Sequence, residues 1–441
     1  MLKKVLIILV LIPICAFSQH TIKGSIIPNQ GYKNAILYKI TPIQLQYVAH
    51  APIDESGDFN IKLDSIVTSG MYKLVYAAPQ EEYSFDIIYN GKEDISFKYN
   101  SEVGIIYQES NENKLVESYT SSMSVVNEEL GKYFTEKRTD SLALVSIFSK
   151  QKIIQSEFEL DAKETIAFHF IRANKPYIPE DYEGYDMYVK NLEKHFFDFV
   201  DFNNEILQSS NFLIEKSINY VFGITSESED EVTTYKNNID AVCLAMKDTE
   251  ITIKKRILEV LWQQMVDATY DDVANYIADN YLIDITKKTN DMSLISRMEL
   301  FKSLSHGSIA PDFELNTKTK SSKKLSELDT SEYYVVLFWS STCGHCLKEI
   351  PLLDKYLESM EKGKLEIVAV GLESESESWT KEILNYPYFT HVLGLGKWDN
   401  PIGNSYNVQA TPTYYLLDKN KKIVLKPYDF EALKVFLEEN K

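Results

Sequence analysis

The chain has 441 residues, 44% of them hydrophobic and 25% charged, with a formal net charge of -19 and four cysteines. That length suggests two or three domains, and the composition is globular rather than disordered. The acidic balance argues against nucleic acid as a partner, because a phosphate backbone is bound by lysine and arginine. Most of the negative charge lies upstream of His306 and reads as a solvated, solubilising surface.

The N-terminus carries Lys3 and Lys4, an apolar run from Val5 to Ile14, and Ala16-Phe17-Ser18. A charged start, a short apolar core and small residues before the cut predict a signal peptide over residues 1–18. The run falls short of the ~20 residues that span a bilayer, so membrane contact is expected only if the leader is retained. Lipidation of Cys15 is disfavoured by Ile12-Pro13-Ile14, since that modification needs small residues before the cysteine. The mature chain then keeps Cys243, Cys343 and Cys346. An exported protein with so few cysteines is not held together by disulfides, so the close pair reads as chemistry.

Residues 19–110 read as a β-sandwich. Short alternating runs (Ala35–Ile40, Gln44–Ala49, Asp58–Leu63, Met71–Tyr76, Tyr83–Tyr89, Asp94–Tyr99) are separated by turn signals such as Asp54-Glu55-Ser56-Gly57 and Asn90-Gly91. His50 and Asp54 are read as turn residues, and the tyrosines as core and cross-strand pairs. Residues 111–305 turn helical and are nearly free of glycine. Spacings such as Ile253, Ile257, Val260 and Leu261 predict six to nine helices. Cys243 falls inside one of them and reads as a small buried hydrophobe.

Residues 306–441 read as an α/β unit. Arms around Thr317–Ser322 form a hairpin. Val335–Trp339 is a buried strand, and Leu347–Met360 a helix whose Leu347, Ile350, Leu353, Tyr356 and Leu357 share a face. Lys364–Gly371 is a second buried strand, Trp379–Leu384 a helix, and Tyr414–Leu417 and Ile423–Leu425 two more strands. Asp429 caps a last helix.

Cys343-Gly344-His345-Cys346 lies at the junction of the first strand and the first helix, and is expected on the first turn of that helix. Unpaired N–H groups and the positive helix end lower the pKa of a thiol there, and the thiolate is what attacks disulfides. Cys343 is the expected nucleophile and Cys346, one turn deeper, the resolving thiol. Glu349 is a further turn along and would move the Cys346 proton; its other reading is a plain surface residue. His345 would tune the redox poise by stabilising the thiolate, against a plain role as exposed spacer. Pro351 is expected to kink the helix.

These residues resemble the thioredoxin superfamily, nearest to exported thiol–disulfide oxidoreductases of the TlpA/ResA type. The resemblance rests on Ala310-Pro311-Asp312-Phe313, Phe338-Trp339 before the dithiol, the cysteine pair, and Ala410-Thr411-Pro412-Thr413. It implies that Pro412 is a cis-proline facing the dithiol and that Thr411 and Pro412 pair with a bound polypeptide. It also matches Glu349 to the acidic residue that follows the motif. Trp339, Gly344 and His345 are the positions expected to tune the couple. Leu337 stands where cytoplasmic thioredoxins bury an aspartate, and the Gly-His dipeptide is that of protein disulfide isomerases, so the direction of electron flow stays open. Residues 20–110 resemble a β domain of unknown function that often precedes such domains.

Rival chemistries meet specific obstacles. Haem attachment needs histidine where Leu347 stands. Structural zinc needs a second ligand pair. A peroxide-reducing cysteine would need Pro and Thr at the positions held by Val336 and Ser340. Copper(I) delivery through the two thiolates ranks below exchange. The expected protein is therefore a periplasmic or cell-envelope oxidoreductase whose redox-active disulfide is Cys343–Cys346, with no metal or organic cofactor. Its partners would be envelope proteins bearing thiols or disulfides and an electron donor or acceptor protein. The alternative is a binding or scaffolding protein in which residues 20–305 capture a partner and the redox part is accessory.

Overall fold

A computed structural model describes residues 20–80, 82–225, 229–315 and 323–440. The expected leader, with Lys3, Lys4 and Cys15, and residues 316–322, where a hairpin turn was expected, lie outside them. The chain divides into two compact units that meet between Val260 and Leu261. Each is described by itself.

The first unit begins with eight strands: β1 (Thr21–Ile27), β2 (Asn34–Ile40), β3 (Leu45–Pro52), β4 (Asp58–Lys62), β5 (Gly70–Val75), β6 (Ser84–Tyr89), β7 (Ile95–Asn100) and β8 (Gly104–Glu109). They form two four-stranded sheets, ordered β4-β1-β7-β8 and β3-β2-β5-β6. Successive side chains point to opposite faces of a strand, so every second residue faces the other sheet. Ile22, Phe59, Ile61 and Phe97 from one sheet meet Leu37, Tyr72, Leu74 and Ile87 from the other in a continuous core. This is the expected sandwich. Asp54 accepts the N–H groups of Ser56 and Asp58 at 2.8 and 3.0 Å, a turn residue as read.

Eleven helical segments follow in the described residues, where six to nine were expected: α1 (Asn111–Thr135), α2 (Ser141–Asp161), α3 (Ala167–Ala173), α4 (Tyr185–Lys194), α5 (Glu205–Gln208), α6 (Phe212–Gly223), α7 (Glu231–Ala245), α8 (Ile251–Asp267), α9 (Asp271–Ile277), α10 (Ile283–Lys288) and α11 (Met292–Ser303). The excess comes from short pieces that periodicity over a long window does not separate. A π turn at Ala278–Leu282 joins α9 to α10. In α1, Asn113 bonds both the N–H and the carbonyl of Ile88 in β6, at 2.9 and 2.7 Å. Cys243 in α7 is half-buried, and burial pushes its thiol up to about 12.

The second unit takes the end of α8 and the helices α9–α11 together with an α/β sheet. Asp271 of α9 accepts the N–H of His306 at 3.0 Å and pairs with Lys426 at 2.8 Å. Leu300 and Leu304 join the apolar core under the sheet. A short hairpin comes first, β9 (Glu314–Leu315) and β10 (Lys323–Lys324). Then come β11 (Tyr333–Trp339), α12 (Cys346–Glu358), β12 (Leu365–Glu373), α13 (Glu377–Glu382), β13 (Thr390–Leu395), α14 (Pro401–Ser405), β14 (Thr413–Asp418), β15 (Ile423–Leu425) and α15 (Phe430–Glu439).

The sheet order is β13-β12-β11-β14-β15. β11, β12 and β13 are parallel, while β14 runs antiparallel to β11. Both faces are covered. Val335, Leu337 and Trp339 pack with Ile350 and Leu353 of α12 and Leu433 and Leu437 of α15. Tyr334, Val336 and Phe338 pack on the other side with Tyr406, Tyr415, Phe313 and Leu325. Sequence reasoning missed β13 and α14. β13 is an edge strand of mixed burial containing Gly394, a weak local signal that pairing with β12 makes regular. Asp429 caps α15 as expected, accepting from the N–H of Ala432 at 2.8 Å.

Candidate active site

The parallel strands β11 and β12 end at the same edge of the sheet, and the dithiol sits there. Residues 340–345 leave β11 and wind into α12. The helix proper begins at Cys346, so Cys343 lies just before it rather than within its first turn. The winding has already started, because the carbonyl of Cys343 accepts the N–H of Leu347 at 3.1 Å. The N–H of Cys346 points at Cys343 Sγ at 3.3 Å, one of the unpaired donors of a helix start. Leu347, read as a core position, is 38% exposed, since the first turn at the sheet edge has no covering element on that side. Pro351 lies inside α12.

The two thiols are electrostatically opposed. Partial burial pushes Cys343 up, but hydrogen bonds from the Cys346 and Thr411 side chains and from the N–H groups of Cys346 and His345 outweigh it, and its pKa is lowered. Cys346 is fully buried; desolvation, and then its bond to Cys343, push it up to about 12. The two thiols are thus shifted in opposite directions, Cys343 down and Cys346 up. Across from them the Thr411–Pro412 peptide bond is cis, and Cys343 Sγ approaches the Thr411 carbonyl at 3.3 Å. Residues 68 apart in sequence thus face each other.

Residues 306–426 match the AhpC/TSA family model. Thiol–disulfide oxidoreductase ResA of Geobacillus kaustophilus is 29% identical over 117 residues, 26% of this chain and 66% of that protein. ResA of Bacillus cereus is 30% identical over 121 residues, 27% of this chain and 68% of that protein. The chain belongs to the thioredoxin-like thiol–disulfide oxidoreductases. The match spans about two thirds of those relatives and only the C-terminal part of this chain. The thioredoxin domain of a thiol–disulfide oxidoreductase from Bacteroides vulgatus is 32% identical and covers 31% of this chain and 99% of that one, with a TM-score of 0.28.

Around the dithiol of this oxidoreductase the expected residues fall in different places. Glu349 is half-buried on α12, and its Oε1 accepts the Tyr414 hydroxyl at 2.9 Å and the Phe430 N–H at 2.5 Å. It is not the plain surface residue of its other reading. His345 and Gly344 are exposed. A Cβ at Gly344 would meet nothing within 4 Å and its φ is not positive, so the fold does not require glycine there. Trp339 is buried at the end of β11, edge-on to Tyr386 with ring centroids 6.1 Å apart.

Two residues went unread in the sequence. Glu373 is 3% exposed at the end of β12. It accepts the N–H of Ser341 at 2.5 Å and the hydroxyl of Ser340 at 3.2 Å, and so clamps the loop that delivers Cys343. Glu375 and Glu377 are exposed. The signal for Glu373 was present: two parallel strands must end together, so the last residue of β12 lies beside the first residues after β11. Tyr414 carried no such signal, because its place depends on the antiparallel register that sets it opposite Leu337. Gly371 is required by close approach. A Cβ there would lie 2.3 Å from Trp379 Nε1.

Proposed function

We propose that this protein is an exported oxidoreductase that exchanges disulfides with proteins of the cell envelope through Cys343 and Cys346. The observation that carries the reading is the pair of opposed thiols, one lowered by the hydrogen bonds it receives and one pushed up to about 12 by burial, facing the Thr411–Pro412 backbone. In the reducing direction, the Cys343 thiolate attacks one sulfur of a substrate disulfide. A Cys343–substrate bond forms, and the other substrate sulfur leaves as a thiolate and takes a proton. Cys346 then gives up its proton and attacks Cys343 Sγ. The mixed disulfide breaks, the second substrate thiol is released, and Cys343–Cys346 becomes a disulfide. Two electrons pass to the substrate, so a partner protein must restore the dithiol. The oxidising direction is the same sequence reversed.

Thr411 and Pro412 present backbone to the extended substrate strand, while Gly344, His345 and Trp339 set the poise of the couple. The leader over residues 1–18 directs export to the periplasm or cell envelope. No organic or metal cofactor enters the cycle.

The reduction potential measured against glutathione tests the reading. A value near about -270 mV marks a reductase supplied with electrons by another envelope protein, and one near about -180 mV marks an isomerase or oxidant. A protein without a reversible Cys343–Cys346 couple overturns the proposal.

A further inference from the structure

The resolving thiol poses a problem that the dithiol alone does not solve. Cys346 is fully buried and held as a thiol, so solvent hydroxide does not reach it and it does not ionise unaided near neutral pH. Glu349 lies three residues along the same helix, a spacing that sets two side chains side by side on one face. A carboxylate serves as a base only if one of its oxygens is free and aimed. Here the two oxygens are treated differently. Oε1 is taken by two donors, the Tyr414 hydroxyl from the sheet and the Phe430 N–H from the first residue of α15. Among the described residues no hydrogen bond to Oε2 is made.

We propose that Tyr414 is a positioning residue for the resolving half of the exchange: with the N-terminal N–H of α15 it pins Oε1 of Glu349 and leaves Oε2 to take the Cys346 proton. This rests on the exchange reading given above. In the step, the Cys346 S–H proton passes to Oε2, the Cys346 sulfur bonds to Cys343 Sγ, the Cys343–substrate bond breaks, and the departing substrate thiolate is protonated.

Tyr414 is suited to holding rather than titrating. It is 1% exposed and lies in the same apolar cluster as Cys346. Burial first, then the charges of Glu349 and Cys346, push its phenol far above the ordinary value, so it remains a donor throughout. Leu337, its cross-strand neighbour, contributes only apolar surface. The sheet thus offers an acid no place at that position and offers a fixed donor instead. The titratable and charged groups facing Tyr414 are Glu349 and Cys346 on α12 and Asp429 just before α15.

The test uses the full chain, reduced, with a peptide disulfide as substrate, and acid-quenched samples to separate the mixed disulfide from the resolved products. Tyr414→Phe removes one oxygen and keeps the ring. It should leave the alkylation rate of Cys343 unchanged, slow resolution about tenfold or more, as loss of a hydrogen bond to a charged group does, and let the Cys343 mixed disulfide accumulate. Glu349→Gln should show the same accumulation, and the double variant should be no slower than Glu349→Gln alone, since both act through one group. Wild-type resolution in a folded Tyr414→Phe protein overturns the inference, as do equal losses in alkylation and resolution or additive losses in the double variant. A wild-type protein that forms no mixed disulfide at all overturns the exchange reading itself.

Discussion

In the sandwich each sheet buries one face, and its strands end in turns stabilised by groups such as Asp54. In the five-stranded sheet both faces are covered, one by α12 and α15 and the other by the residues around Tyr406 and Phe313. Both arrangements bury an apolar core, but they leave different surfaces for chemistry. The doubly covered sheet exposes only its edges and ends, and parallel strands bring several chain segments to one end. Helix starts, strand ends and the Thr411–Pro412 turn converge there, and two thiols three residues apart are shifted in opposite directions. The sandwich has turn residues at its strand ends and cross-strand aromatic pairs between its sheets, and among the described residues no comparable pair of opposed groups.

The sharpest way to break that contrast is to remove the nucleophile. Cys343→Ser should reduce exchange on a test disulfide to background, whereas Cys243→Ser should leave it intact; an insulin-reduction assay on both settles it. Core truncations come next. Leu337→Ala under the dithiol and Leu37→Ala in the sandwich should each cost about 2–5 kcal/mol in denaturant unfolding. Only the first should also lower exchange under conditions where the protein stays folded.

Glu373→Gln should follow, with a loss of about 1.5–3 kcal/mol for weakening charge-assisted bonds to the Ser340–Ser341 loop, and with slower alkylation of Cys343. The pH dependence of labelling is subtler. Iodoacetamide should modify Cys343 in preference to Cys346 at neutral pH, with an inflection below the ordinary thiol value near 9. Cys346 is raised in the folded state, so its contribution to stability is complete below that value and lost as pH climbs from about 9 towards about 12. Urea unfolding of the reduced protein across that window, compared with Cys346→Ala, measures it. The smallest effect belongs to Gly344→Ala. It should leave stability within about 0.5 kcal/mol of wild type, since the site is exposed and nothing crowds it.

Much of this protein was determined locally. The run Val335–Trp339, the cysteine spacing and the apolar stripe of α12 are short-range patterns, and a strand followed at once by a helix must set the dithiol at a helix start. Alternation in residues 20–110 and helical spacing in 111–305 specified the layers for the same reason. Tertiary structure alone decided which distant groups meet. Antiparallel register brought Tyr414 beside Leu337, parallel pairing placed Glu373 against Ser341, and the approach of α15 put the Phe430 N–H on Glu349. Each of these contacts joins residues more than 30 positions apart. A hydrogen bond of that range is fixed by strand register and helix docking, and those depend on the burial of the whole core rather than on the residues that form the bond.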